Sequence, residues 1–161
     1  MIKVTIWNEF VEERIYEEVK RVYPDGIHKC LEEFLSKNED MQVRCVTLSS
    51  KDQGLSDEIL SDTDVLIWWG HQEHDAVTEE NAERVKKYVL NGMGFIPLHA
   101  AHFCKPLKKL LGTSMCLRWK HGESEKLICV NPSHPIAEGI TEPVILEEEE
   151  MYGEYFDIPK P

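Results

Sequence analysis

No apolar run in this 161-residue chain approaches the roughly 20 residues that a bilayer-crossing helix needs. Basic residues are also scarce, with 18 Lys and Arg against 30 Asp and Glu and a formal net charge of -12. That field repels phosphate backbones and anionic lipid, which argues against nucleic acid or a membrane surface as a partner. The N-terminus, Met1 to Trp7, has no apolar run ending at a small-residue cleavage site and reads as a strand rather than an export signal. No CxxC pair occurs among the five scattered cysteines, Cys30, Cys45, Cys104, Cys116 and Cys129, which excludes a closed zinc–thiolate site or a redox dithiol. An odd, scattered set suits a reduced, cytoplasmic setting, with most of the thiols expected as small core hydrophobes. The glycine-rich phosphate loops GxGxxG and GxxxxGK[ST] are missing, so no nucleotide cofactor is expected. The GxSxG nucleophile elbow is missing too.

What is present is an alternation of short β-branched runs with longer charged, amphipathic stretches. Ile2–Trp7, Val43–Leu48, Val65–Trp69 and Gly94–Leu98 read as strands. The third of these, Val-Leu-Ile-Trp-Trp, is unbroken apolar sequence, as in a strand buried on both faces. After the turn Tyr23-Pro24-Asp25-Gly26, Ile27 to Ser36 has helical spacing, and Ser56–Leu60 allows a short helix. Thr78-Glu79-Glu80-Asn81 is a helix start with acidic residues in the first turn, and Asn91-Gly92 is its stop. A helix is expected over Phe103–Leu111, closed by Gly112. Further strands are expected at Leu127–Val130 and Val144–Leu146, with Glu147–Glu150 as a solvated strand end. Strand–helix alternation of this kind predicts a doubly wound α/β fold, a mostly parallel sheet with helices on both faces, in one domain over residues 1–161. The ending Asp157-Ile158-Pro159-Lys160-Pro161 reads as extended, which raises the expectation of a fragment of a longer domain.

Four of the seven histidines fall in two motifs, Gly70-His71-Gln72-Glu73-His74-Asp75 and Leu98-His99-Ala100-Ala101-His102. Each directly follows a predicted strand. The carboxyl edge of an open α/β sheet is where ligands bind, and Asn8 and Glu9 open onto the same edge. Two chemistries fit these residue types. His71, His74 and His99 can hold a divalent metal such as zinc or manganese, with Glu9 or Asp75 completing its sphere. Alternatively, His71, His99 and His102 with Glu9 or Asp75 can move protons near neutral pH. Trp69 is either core or a platform that stacks on a sugar. His28 either approaches the crevice or caps a helix. Tyr152 and Glu154 are site groups or surface. His134 reads as a turn residue and His121 as solvent-exposed.

At Val4–Glu9, Tyr23–His28, Trp68–His71 with His74-Asp75, Leu98–Phe103, His134–Gly139 and Glu149–Glu154, the sequence resembles the trehalose-utilization (ThuA-like) family. The resemblance covers nearly the whole chain. It implies a class I glutamine amidotransferase-like, flavodoxin-like three-layer fold and a role in disaccharide or keto-sugar catabolism. It also implies a site at His71, His74, Asp75, His99 and His102, with Asn8, His28, Trp69, Glu9, Glu150 and Tyr152 beside it. Amidotransferase relatives carry a cysteine at the strand-to-helix elbow, where this chain has His99-Ala100-Ala101. Thiol-dependent glutamine hydrolysis is therefore not expected, and Cys104 falls past the elbow. The leading expectation is a sugar-transforming enzyme that abstracts a proton next to a carbonyl. The alternative is a non-catalytic sugar-binding or regulatory module, and in either case the protein could form a homo-oligomer.

Overall fold

The computed structural model describes residues 1–140 and 143–153; Glu154 and the tail at Asp157–Pro161 lie outside the described residues. The described residues group into two compact units, 1–115 and 116–153.

In the first unit, β1 (Ile2–Asn8), β2 (Met41–Thr47), β3 (Val65–Trp69) and β4 (Gly94–Pro97) form a sheet in the order β2-β1-β3-β4. Every neighbouring pair is parallel. From β1 the chain turns one way through α1 (Glu12–Ile15), α2 (Glu17–Val22) and α3 (Ile27–Leu35) to β2. It then passes α4 (Asp57–Ser61) and returns to the other side of β1 as β3, before α5 (Glu79–Leu90), β4 and α6 (Lys105–Leu111). The winding direction therefore reverses between β1 and β3, and their carboxyl ends bound the crevice that such a reversal opens.

Side chains alternate across a strand, and here the two faces do different work. Trp7 of β1 stacks on Trp68 of β3 with ring centroids 3.8 Å apart. Around this pair gather Val46, Leu55, Leu60, Leu66, Val77, Val85, Met93, Ala101 and Cys104, the main apolar core. On the other face of β1, Ile6 and Asn8 are also fully buried, and α3 packs against β1 and β2. Val4 to Asn8 are thus buried in succession, which requires cover on both faces of the central strand. The α/β reading holds.

Helix boundaries follow their chemistry. The Thr78 hydroxyl accepts from Asn81 N at 3.2 Å, starting α5 where the sequence signals it. The helix expected from Phe103 starts later, at Lys105, because His99–Phe103 first winds as a tight 3-10 segment. Two short helices, α1 and α2, occupy a stretch that reads only as polar sequence. Most cysteines are not core residues, a correction to the composition reading. Cys104 is buried and Cys45 half-buried, whereas Cys30, Cys116 and Cys129 are exposed.

The second unit contains an antiparallel pair, β5 (Arg118–Leu127) and β6 (Val144–Gly153). The strand expected at Leu127–Val130 ends at Leu127 instead. The strand expected to stop at Leu146 runs on through the acidic run to Gly153. Arg118–Leu127 is largely exposed polar sequence, so neither face carries the apolar alternation by which strands are recognised.

Leu66 lies fully buried at the centre of the Trp7–Trp68 cluster. Leu66→Ala is expected to lower the unfolding free energy by about 2–5 kcal/mol. Urea denaturation should show an earlier midpoint at unchanged slope, and a loss below about 1 kcal/mol would contradict this placement of the core.

Candidate functional site

The site is built where β1 and β3 end. Glu9 follows β1 and is almost completely buried. Its backbone N–H extends the ladder by donating to the Trp69 carbonyl at 3.1 Å. Its carboxylate accepts from two successive backbone amides of the loop after β3, Gln72 N at 2.7 Å and Glu73 N at 3.0 Å. Charge-assisted bonds to backbone N–H groups are the strong kind. Gly70 leaves room for this arrangement, since a Cβ there would come within 3.2 Å of Glu9 Oε2. Glu9 thereby fixes the loop that carries His71 and His74.

His71 stands exposed at the head of that loop. Its Nδ1 lies 2.9 Å from Glu12 Oε1, and the Gln72 side chain donates to the same oxygen at 3.0 Å. Glu12 is the first residue of α1, so the segment after β1 supplies both the clamp on the loop and the partner of its histidine. With Nδ1–H bonded to the carboxylate, a neutral His71 keeps its lone pair on Nε2.

The two histidine motifs meet across Phe103. His74 packs edge-on against the Phe103 ring at 5.6 Å and His102 at 6.0 Å, and Lys108 Nζ lies 3.0 Å from the same ring's centroid. Burial holds the His74 imidazole below its ordinary range. Glu9 opposes that shift, while Lys108, His102 and His71 add to it. His102 Nδ1 is 3.0 Å from the Met115 carbonyl, which can only accept, so Nδ1 carries its proton. His99 is exposed and sits at φ 46°, an uncommon conformation for an L residue, at the strand-to-helix turn. Its ring lies 6.4 Å from that of half-buried Trp69. Asp75 gives its backbone carbonyl to Lys105 Nζ at 2.9 Å.

Asn8 and His28 belong to a buried polar cluster at the carboxyl end of β1. Asn8 Nδ2 lies 2.8 Å from both Glu13 Oε1 and His28 Nδ1, and Asn8 Oδ1 accepts from Phe10 N at 2.8 Å. Glu13 Oε1 also accepts from Ile27 N, supplying the cap that Gly26 cannot give to α3. Gly26 itself, at φ 90°, leaves space for the imidazole; a Cβ there would lie 2.4 Å from His28 Cε1. His28 is therefore not a helix cap but a buried member of the helix's first turn.

Glu150 and Tyr152 lie in the second unit, two residues apart on β6. Glu150 Oε1 is 3.6 Å from His121 Nε2, and burial next to Glu150 and Glu149 pushes the Tyr152 phenol up to about 12. His121 is exposed, and His134 accepts from Ile136 N in a turn, both as the sequence suggests.

Among the described residues, no three His, Cys, Asp or Glu side chains are grouped to hold an ion, so His71, His74 and His99 do not share a coordination sphere. Cys104 is buried, and burial pushes its thiol up to about 12, away from the thiolate form that a nucleophile needs.

A family model for ThuA, described by trehalose utilisation, matches residues 3–161. The chain belongs to the ThuA family. A crystal structure described as a ThuA-like protein, from Bacteroides uniformis ATCC 8492, is similar in fold, with 17% identity and a TM-score of 0.64. The match covers 94% of this chain and 60% of that one, so this ThuA chain spans less than two thirds of its structural relative. A comparison with curated proteins finds no match. Among the described residues no helix is long and apolar enough to cross a membrane.

Three residues of this ThuA site are silent in the sequence. Glu12 and Glu13 look like a solvated acidic pair, yet one faces His71 and the other is buried against Asn8. Phe103 reads as a helix residue but forms the surface on which two imidazoles pack. The one available signal is the density of carboxylates directly after a strand, Glu9, Glu12 and Glu13.

Two outcomes follow from this geometry. Glu9→Gln puts an amide N–H2 against a backbone N–H, which should cost about 1–3 kcal/mol and speed hydrogen exchange at Gln72 and Glu73. Unchanged exchange there would show that the carboxylate does not hold the loop. Burial keeps the folded pKa of His28 below its ordinary value of about 6.5. Its contribution to stability is thus present in full above about pH 6.5 and lost as the pH falls through the lower folded value. Between pH 7 and 5 the melting temperature of wild type should fall more steeply than that of His28→Gln.

Proposed function

We propose that this chain acts in carbohydrate utilisation as an enzyme on an oxidised disaccharide or keto-glycoside, with His71 as the base and Glu12 as its orienting partner. The observation that carries the reading is the 2.9 Å contact between His71 Nδ1 and Glu12 Oε1 at the crevice between β1 and β3. A carboxylate behind one imidazole nitrogen fixes the tautomer and stabilises the imidazolium that forms when the other nitrogen takes a proton. In a sugar carrying a ketone, the proton on the adjacent carbon is the acidic one. Nε2 of His71 takes it, and the C–H electron pair moves into an enolate. Collapse of the enolate then either returns a proton at the neighbouring position, giving isomerisation, or expels the glycosidic oxygen, which takes the proton from His71 Nε2 and leaves as a hydroxyl, giving elimination.

The family description supports the substrate class. The Trp69 ring beside His99 supports sugar binding, since an indole at a strand end offers a stacking face. His74, packed edge-on against Phe103, can hydrogen-bond the ketone oxygen through whichever ring nitrogen carries its proton. The alternative, a sugar-binding module without chemistry, uses the same crevice and is separated by turnover.

The experiment incubates purified protein with trehalose and with 3-keto-trehalose and follows both binding and product. Consumption of the keto-sugar is expected, with His71→Ala lowering kcat/KM by about 10²–10⁴-fold and Glu12→Gln by at least about tenfold. Binding without turnover would leave only the binding module, and activity undiminished in His71→Ala would remove the proposed base.

A further inference from the structure

The Asn8 cluster has a hydrogen-bond logic that decides the protonation of His28. Asn8 Oδ1 is identified by its bond from Phe10 N, because a backbone N–H must meet an acceptor. The other amide atom is therefore the nitrogen, and it donates its two hydrogens to Glu13 Oε1 and to His28 Nδ1, each at 2.8 Å. An Nδ1 that accepts has no proton, so the neutral imidazole carries its hydrogen on Nε2. Glu13 is buried behind Asn8, and its Oε2 is the one buried side-chain polar atom without a partner among the described residues. A carboxylate held this far from water costs free energy, and its hydrogen bonds turn Asn8 toward His28 and cap α3. Phe10, strained at φ 52°, and Gly26, which adopts φ 90° without strain, wall the same ring, with Phe10 edge-on to it at 5.0 Å.

We infer that Glu13 and Asn8 are positioning residues that hold His28 as a neutral Nε2–H donor toward the oxygen of the keto-sugar. This inference rests on the reading given above and adds a second proton-bearing group to it. His28 is bonded to the last residue of β1, and Asn8 is the register partner of Trp69, two residues before His71. A fixed neutral imidazole that polarises a carbonyl while a separate base takes the proton is a known division of labour between acid and base groups. The charged and titratable groups facing His28 are Glu13 from α1, Lys29 and Glu32 from α3, and the Cys45 thiol from β2, which donates to the His28 carbonyl at 3.4 Å. Glu13 and Glu32 favour the imidazolium, whereas Lys29 and burial oppose it. Protonating Nδ1 would also set N–H against N–H at Asn8.

The test uses the whole chain with nitrogen-15-labelled histidine, read by long-range proton–nitrogen NMR between pH 5.5 and 8, before and after adding 3-keto-trehalose. The expected spectrum shows His28 neutral with hydrogen on Nε2 at pH 7, and the keto-sugar shifts that nitrogen together with those of His71. Asn8→Asp, which offers His28 an acceptor in place of a donor, should move the hydrogen to Nδ1 or leave an imidazolium. It should also lower kcat at least tenfold with a smaller change in KM. Hydrogen on Nδ1 of His28 in wild type would overturn the positioning argument. A sugar that shifts His71 but leaves His28 unmoved would overturn the donor role alone. A sugar that shifts neither would overturn it together with the reading on which it rests.

Discussion

The whole crevice depends on one buried carboxylate. Glu9 stands where β1 ends and grips two consecutive amides of the loop that follows β3. A loop normally earns its order from packing, but this one is exposed at His71, Gln72 and Glu73 and has little apolar surface to bury. Its shape is instead imposed from below by charge-assisted bonds in a place water does not reach. Because those bonds go to backbone, they fix the loop without constraining which side chains it displays. That is how a parallel sheet can keep its core constant and still present imidazoles at a set height above its edge.

The period-two alternation of β1 then divides labour between the two faces. Trp7 points into the aromatic core and stacks on Trp68, while Asn8, one residue later, points toward α3 and meets His28. A one-residue slip in the pairing of β1 would exchange these roles and put an amide against the tryptophans. The apolar face thus sets the register, and the register delivers Asn8, Glu9 and Glu12 to the carboxyl edge. Stability and the polar cluster are coupled through geometry rather than through direct contact.

What could be read from the sequence follows from the same division. β1, β3, β4 and α5 announce themselves because their side chains are sorted by burial: Val65–Trp69 is continuous apolar sequence, and Thr78 and Asn91 bracket α5 with cap chemistry. The convergence of His74 and His102 was legible once two motifs followed two strands. Glu12 and Glu13 were not, since a carboxylate's role is set by what it faces and adjacent glutamates on a short helix resemble any solvated run. β5 was missed for a related reason. Arg118–Leu127 hydrogen-bonds as a strand while burying little, so the backbone order exists without a hydrophobic pattern to betray it.

The strand-to-helix turn after β4 holds the residue at its apex in an uncommon backbone conformation. His99 keeps a left-handed conformation at φ 46°, where a non-glycine residue is held only if its surroundings over-determine it. Ala100 and Ala101, both buried, supply that constraint: the small side chains pack the turn down while the residue before them is pushed outward. Such a turn exposes whatever occupies its apex. Cys104, five residues on, is buried instead, and burial pushes its thiol up to about 12. An imidazole at the apex instead offers hydrogen bonding beside the Trp69 ring.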